Sequence, residues 1–123
     1  MKTKKVLILI LSILSTEILA EGIPKDKFLF AAETAFPVKF CNPQMPFRQC
    51  FNITPQECEE TISSATRVCS KNLNNQIPNF IMSREEAGKV GKDIGSCAGQ
   101  AFALTHHKKF ITNKQCNKMF NVQ

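Results

Sequence analysis

Residues 54–73 of the chain read TPQECEETISSATRVCSKNL, and this stretch decides the fold. Thr54 is followed by Pro55 and, three residues later, by Glu57, which is the pattern of a capping box with proline at the first helical position. Apolar residues then recur at steps of three or four, as on one face of an α-helix: Cys58, Ile62, Ala65, Cys69 and Leu73. The pattern predicts an amphipathic helix that turns two cysteines toward the interior of the protein.

A second amphipathic helix is predicted after a turn-rich connection. Ser83 and Glu86 form another capping box. Apolar residues then follow helical spacing to about His107: Ala87, Val90, Ile94, Cys97, Ala98, Ala101 and Leu104. Together the two helices, at about Pro55 to Asn74 and about Arg84 to His107, predict an antiparallel pair packed through their apolar faces.

The segments at the two ends of the chain give weaker patterns. The spacing of apolar residues after Pro24 favours a short helix that ends at Pro37, although residues 28–30 would also suit a buried extended run. A turn or helix is expected near Asn113 to Phe120. The predicted fold class is therefore all-α: a small disulfide-stapled helical domain built on two long antiparallel helices plus short N- and C-terminal helical segments.

Residues 41–51 contain two prolines and no helical period, so they predict an ordered loop. Three phenylalanines lie beside or within this loop: Phe40, Phe47 and Phe51. Exposed together they would form a binding surface, but aromatic residues of a small domain belong more often to its core. We therefore expect these phenylalanines to be core residues.

The first twenty residues predict an export signal. Lys2, Lys4 and Lys5 precede an apolar run over residues 6–14, and small or polar residues lead to Ala20. This order is typical of a secretory signal peptide. The apolar run is shorter than the ~20 residues that a bilayer span requires. We expect a signal peptide at residues 1–20 with cleavage near Ala20, a single domain at residues 21–123, and no transmembrane segment in the mature chain.

The six cysteines predict structural disulfides, because an even number in an exported chain is typical of a stapled scaffold. No Cys-x-x-Cys occurs, so the spacing does not favour metal or redox chemistry. All six are disulfide candidates. Antiparallel helices favour the pairs Cys58–Cys116 and Cys69–Cys97, and Cys41–Cys50 would then close the loop. The expected location is the periplasm or the outside of the cell.

Four glycines form a second stripe along the second predicted helix: Gly88, Gly91, Gly95 and Gly99. Each glycine costs a helix about 1 kcal/mol relative to alanine, so some contact has to offset that cost. Either the N-terminal phenylalanine segment or the 41–51 loop packs closely against the stripe, or the stripe is a groove for a partner. Close packing is the prediction, and it makes Gly95→Ala destabilising through overpacking.

The end of the chain is basic, since no acidic residue follows Asp93. Six residues could contact an anionic surface: His106, His107, Lys108, Lys109, Lys114 and Lys118. Apolar residues interleave with them: Phe110, Ile111, Met119 and Phe120. Such a segment suits an anionic membrane surface, and it also suits a plain role in offsetting a helix dipole. A nucleic-acid partner is not expected.

No catalytic constellation is visible in the sequence. It contains no Gly-x-Ser-x-Gly elbow and no phosphate loop, and the adjacent His106 and His107 cannot both face one metal ion from a helix. We expect no enzymatic activity, no metal site and no cofactor. The expected function is a small exported binding protein (inhibitor, immunity-type or accessory factor) whose partner is another protein. The alternative is a cationic protein that acts on membranes or other anionic surfaces through its C-terminal tail.

Overall fold

A computed structural model describes residues 22–122 of the chain. The helices are α1 (Lys25–Phe40), α2 (Pro46–Gln49), α3 (Pro55–Asn72), α4 (Arg84–Thr105) and α5 (Lys114–Met119). Short 3-10 turns at Asn74–Gln76 and His107–Lys109 and the strands β1 (Ile23–Pro24) and β2 (Phe80–Ile81) complete the order. The predicted all-α class is confirmed, and the predicted signal peptide lies outside the described residues.

Helix α3 forms as its sequence predicts. The Thr54 hydroxyl accepts the Glu57 N–H at 3.1 Å, and the Glu57 carboxylate accepts the Thr54 N–H at 3.0 Å. Both halves of the capping box are therefore present, as the sequence predicted. The predicted apolar face is buried at four positions, Cys58, Ile62, Ala65 and Cys69.

Helix α4 begins at the predicted cap, but its buried face drifts around the helix. The Ser83 hydroxyl accepts the Glu86 N–H, whereas the Glu86 carboxylate accepts the N–H of Met82. The buried residues follow steps of four: Val90, Ile94, Ala98 and Phe102. Because each such step advances by about 40° around the helix, the core receives Phe102 and leaves Leu104 76% exposed. The prediction that Leu104 lies on the packed face of this helix was wrong.

Helix α1 is longer than predicted, because it continues through Pro37 to Phe40. The Cys41 N–H donates to the Pro37 carbonyl at 3.1 Å, so the last turn closes despite the missing proline donor. Phe40 packs against the core, and Cys41 forms a disulfide with Cys58. The predicted stop at Pro37 was wrong because these tertiary contacts outweigh the local cost of proline.

Helix α3 lies at the centre of the domain and packs against both α1 and α4. The strands β1 and β2, which the sequence did not predict, pair antiparallel and join the start of α1 to the approach to α4. The chain after α4 returns beside the start of α3, where the Asn52 N–H donates to the Lys109 carbonyl at 2.9 Å. The predicted C-terminal helix is confirmed as α5, and the Asn113 side chain caps it.

The six cysteines form three disulfides: Cys41–Cys58, Cys50–Cys116 and Cys69–Cys97. The prediction of Cys69–Cys97 is confirmed, and the other two predicted pairs were wrong. An isolated β-bridge between Phe51 and Phe110 sets Cys50 beside the returning chain, and α5 then carries Cys116 to it. Cys58 lies one turn inside α3, where it meets the end of α1 instead.

Candidate binding groove

The glycine stripe of α4 forms the floor of an open groove between α1 and α4, with a cavity volume of about 730 Å³. A Cβ built at Gly88 or Gly91 would meet no neighbouring atom within 4 Å. At Gly95 and Gly99 the nearest atoms belong to Phe40, at 3.7 and 3.9 Å. These are ordinary van der Waals separations. The predicted neighbours are present, but the prediction that they pack too closely for a methyl group was wrong.

Phenylalanines form the wall that faces the glycine floor. Phe36 and Phe40 project from α1, and Phe47 projects from α2. The Phe36–Phe40 and Phe40–Phe47 ring pairs are edge-to-face, with centroids 5.7 and 5.4 Å apart. All three rings are half-buried and pack against the core. Because each ring supports the next, the wall is formed before any partner arrives.

Behind this wall lies the aromatic part of the core. Phe51 is 3% exposed and Phe102 is 0% exposed, and their ring centroids are 4.9 Å apart. Phe47 contacts Phe102 from the groove side, with centroids 5.0 Å apart. The core prediction is therefore confirmed for Phe51, whereas Phe40 and Phe47 serve the core and line the groove.

The rim of the groove is polar and carries positive charge. Lys39 stands on the α1 side, and Lys92, Ser96 and Gln100 stand on the α4 side. The two lysines are exposed, and no aspartate or glutamate is among the residues that line the groove. An apolar trough with cationic edges matches a partner that is apolar in the middle and negatively charged at its sides.

The structure divides the predicted basic segment into residues with different roles. His106 is half-buried, because its Nε2 lies 2.8 Å from the Thr61 hydroxyl oxygen and its ring packs at a tilt against Phe102. His107 is exposed, and its Nδ1 lies 2.9 Å from the Leu104 carbonyl oxygen near the end of α4. Four lysines of the segment are exposed: Lys108, Lys109, Lys114 and Lys118. The exposed charge of the tail therefore comes from its lysines, whereas His106 packs into the protein.

Two of the four apolar residues of the tail pack against the protein. Phe110 and Phe120 pack edge-to-face against Phe51, with ring centroids 5.6 and 5.5 Å away. Ile111 and Met119 remain 37% and 42% exposed. The tail therefore offers less apolar surface to a membrane than the sequence alternation predicted.

Residues 22–122 contain neither a cluster of metal ligands nor a helix suited to cross a membrane. No group of three or more His, Cys, Asp and Glu side chains in this range is placed to hold a metal ion. Within the same range, every helix is too short or too polar to cross a bilayer.

The chain matches a known protein family over residues 22–110, and the family is described as "T2SS substrate NttA", where T2SS denotes the type II secretion system. The chain belongs to the NttA family. The matched residues of this NttA-family protein include helices α1 to α4 and end at Phe110, before α5. No curated protein and no solved structure matches the chain. The family and the three disulfides point to a secreted or periplasmic protein.

The sequence predicted the floor of the groove in this NttA-family protein and named the segments that border it, but it did not place Phe36 and Phe40 side by side. Phe36 and Phe40 are four residues apart, which would have placed them on one face of a helix. The predicted stop at Pro37 separated them and hid the signal. The lysines of the rim, Lys39 and Lys92, were also missed, because only the fold brings them to the same groove.

Proposed function

We propose that this NttA-family chain is a small exported binding protein that recognises another protein through the groove between α1 and α4. One observation supports the proposal above the others. Four glycines lower the helical preference of α4 by ~3 to 4 kcal/mol, yet the described part of the chain leaves room for a methyl group at each of them. Internal packing does not account for this cost. A partner whose backbone approaches the floor would account for it.

The disulfides support the proposal because they hold the groove in one shape. Cys41–Cys58 ties the end of α1 to α3, and Cys69–Cys97 ties α3 to α4. Both sides of the groove are thus cross-linked to the same central helix. A binding surface that is already rigid loses less entropy on association than a flexible one.

The proposal is of a binding protein without enzymatic activity and without a cofactor, in the class of inhibitors, immunity-type proteins or accessory factors. Since its family is described as T2SS substrates, we also propose that this chain leaves the cell by type II secretion. Cleavage near Ala20 would precede that step. N-terminal sequencing of the exported protein tests the cleavage site.

Site-specific photo-cross-linking tests the groove directly. A photoreactive residue replaces Gln100 at the rim, and a matched variant carries it at Lys71, which is exposed on α3 outside the groove. The folded, oxidised protein is exposed to the exported fraction of the source organism. We expect a discrete adduct from position 100 and none from position 71. Equal labelling from both positions, or none from position 100, would contradict the proposal.

A second candidate function is contact with an anionic membrane surface, and the exposed lysines of the tail favour it: Lys108, Lys109, Lys114 and Lys118. The partial burial of Phe110 and Phe120 against Phe51 makes it the weaker candidate, since interfacial binding needs apolar contacts as well as charge. Vesicle sedimentation at low salt tests it. Anionic vesicles must capture the protein better than neutral ones, and glutamine at all four lysines must remove the difference.

A further inference from the structure

We infer that the groove receives an amphipathic α-helix of a partner protein, with acidic residues on both sides of its apolar face. This inference rests on the proposed function, because it names the chemistry of the partner that the groove binds. Its supports are the length of the groove, the arrangement of the glycines, the open side and the charge of the rim.

The length of the groove suits a helix. Its α4 side runs from Gly88 to Ala103, a distance of about 22 Å at 1.5 Å per residue. A partner helix of about four turns would therefore lie along the floor. Its apolar side chains would contact the rings of Phe36, Phe40 and Phe47. This is the helix-in-groove mode, in which anchors recur every three or four residues.

The glycines remove one ridge from the surface of α4. Gly91, Gly95 and Gly99 are spaced by four residues, so they occupy one of the rows that normally carry side-chain ridges. Without those side chains the row becomes a furrow, and a ridge of a second helix fits into it. The two helix axes can then approach more closely than the usual 8 to 10 Å, and Cα–H groups of α4 can reach partner carbonyls.

The open side of the groove disfavours a single acyl chain. Sites for small ligands bury about 70 to 90% of the ligand surface, and this groove is open to solvent along its side. An acyl chain lying in it would keep much of its length in water. A helix would cover the opening and turn its own polar face to solvent. The shape therefore favours a helix over a lipid tail.

The charge of the rim selects the flanks of the partner helix. Lys39 and Lys92 lie on opposite sides of the groove and are the charged residues among those that line it. Glutamate or aspartate beside the apolar face of the partner would meet them on each side. A second copy of this chain would bring the same two lysines into the contact, where like charges repel. We therefore assign the site to an acidic partner helix.

Two synthetic helical peptides provide the probes. Both have about 16 residues and the same leucine and alanine face, one with glutamate on its flanks and the other with lysine at those positions. Binding to the mature, oxidised protein is followed by fluorescence anisotropy, and the site is mapped by amide chemical shifts. We expect the glutamate peptide to bind at least about tenfold more tightly than the lysine peptide. Alanine at both Lys39 and Lys92 should lower the affinity for the glutamate peptide about fivefold.

Filling the floor is the second arm of the experiment. Gly91→Leu places a side chain where the structure leaves open space, so the variant should fold normally. Its affinity for the glutamate peptide should fall at least tenfold, to about one tenth or less. Ala31→Leu, on an exposed position of α1 outside the groove, is the matched control and should change nothing. Circular dichroism and thermal melting verify that both variants are folded.

Several results would overturn the inference. Equal binding of both peptides, or binding that Gly91→Leu leaves unchanged, would remove the acidic helix from this groove. Palmitate that binds more tightly than the peptide, or self-association that Gly91→Leu abolishes, would assign the groove to a lipid or to a second copy. If neither peptide binds while position 100 still cross-links to a partner, the helix chemistry is wrong and the proposed function stands. If position 100 cross-links to nothing, the proposed function itself is wrong.

Discussion

The Thr61 hydroxyl oxygen lies 2.8 Å from Nε2 of His106 and joins the first half of α3 to the end of α4. About two turns further along α3, Cys69 is bonded to Cys97 of α4. The two links fix the antiparallel helices at two heights, so α4 cannot rotate about its own axis. The glycine stripe is thereby held toward α1, where the phenylalanine wall stands.

Removing the Thr61 hydroxyl should destabilise the domain. Thr61→Val keeps the shape of the side chain and deletes its hydrogen bond to His106, so we expect the free energy of unfolding to fall by about 1 kcal/mol. Urea unfolding monitored by circular dichroism measures it. Thr105→Val is the control, because that hydroxyl is exposed and bonds only to the Ala101 carbonyl of its own helix. An equal loss in both variants would show that the link between the helices contributes nothing.

The features predicted correctly from sequence are those with local causes. The capping box of α3 depends on Thr54 and Glu57, which are three residues apart, and its buried face follows a simple period. The Cys69–Cys97 disulfide was also predicted correctly, because two regular antiparallel helices place these cysteines opposite one another. The glycine floor was visible for the same reason, as a periodic row on one helix.

The errors at the end of α1 and in the disulfide pairing share a different cause, because each depends on contacts between distant segments. Pro37 was predicted to end α1, but the Cys41–Cys58 disulfide and the packing of Phe40 hold a further turn. Cys116 was given the wrong partner, because the β-bridge at Phe51 has no signal in the spacing of cysteines. The groove forms where α1 and α2 meet α4, so the sequence predicted its glycine floor and the neighbouring segments but not the open space between them.

The disulfides should contribute unequally to stability. Cys50–Cys116 closes a separation of 66 residues and Cys41–Cys58 one of 17 residues. The loss of loop-closure entropy in the unfolded chain predicts about 4.4 kcal/mol for the first and about 3.1 kcal/mol for the second. Each pair is replaced by two alanines, and chemical unfolding of the otherwise oxidised protein is measured. A larger loss for the shorter loop would contradict the entropic argument.

The capping threonine of α3 should matter more than a threonine inside a helix. Thr54→Ala removes the acceptor of the Glu57 N–H and should cost about 1 kcal/mol. Thr34→Ala is the matched control, since the exposed Thr34 hydroxyl only donates back to the Phe30 carbonyl within α1. There alanine should be neutral or slightly stabilising, because it is the better helix former. Similar melting temperatures for the two variants would argue against the cap.

The decisive substitution is Gly95→Ala, because the structure reverses the prediction made from sequence. The added methyl carbon would lie 3.7 Å from the ring of Phe40, which is an ordinary contact, so the gain in helix propensity should prevail. We expect stabilisation of up to about 1 kcal/mol, or a rise of about 4 to 8 °C in Tm for a domain of this size. Differential scanning calorimetry measures it.

Gly22→Ala is the contrasting control for that substitution. Gly22 has a φ of +77°, and a Cβ there would lie 2.6 Å from Sδ of Met82, so alanine should lower Tm. If Gly95→Ala raises Tm and also lowers the affinity for the glutamate peptide, the glycine serves binding at the expense of stability. If Gly95→Ala melts earlier than the wild type, the stripe serves internal packing. Internal packing would then offset the helix propensity that the glycines cost α4. The binding proposal would lose the observation on which it depends.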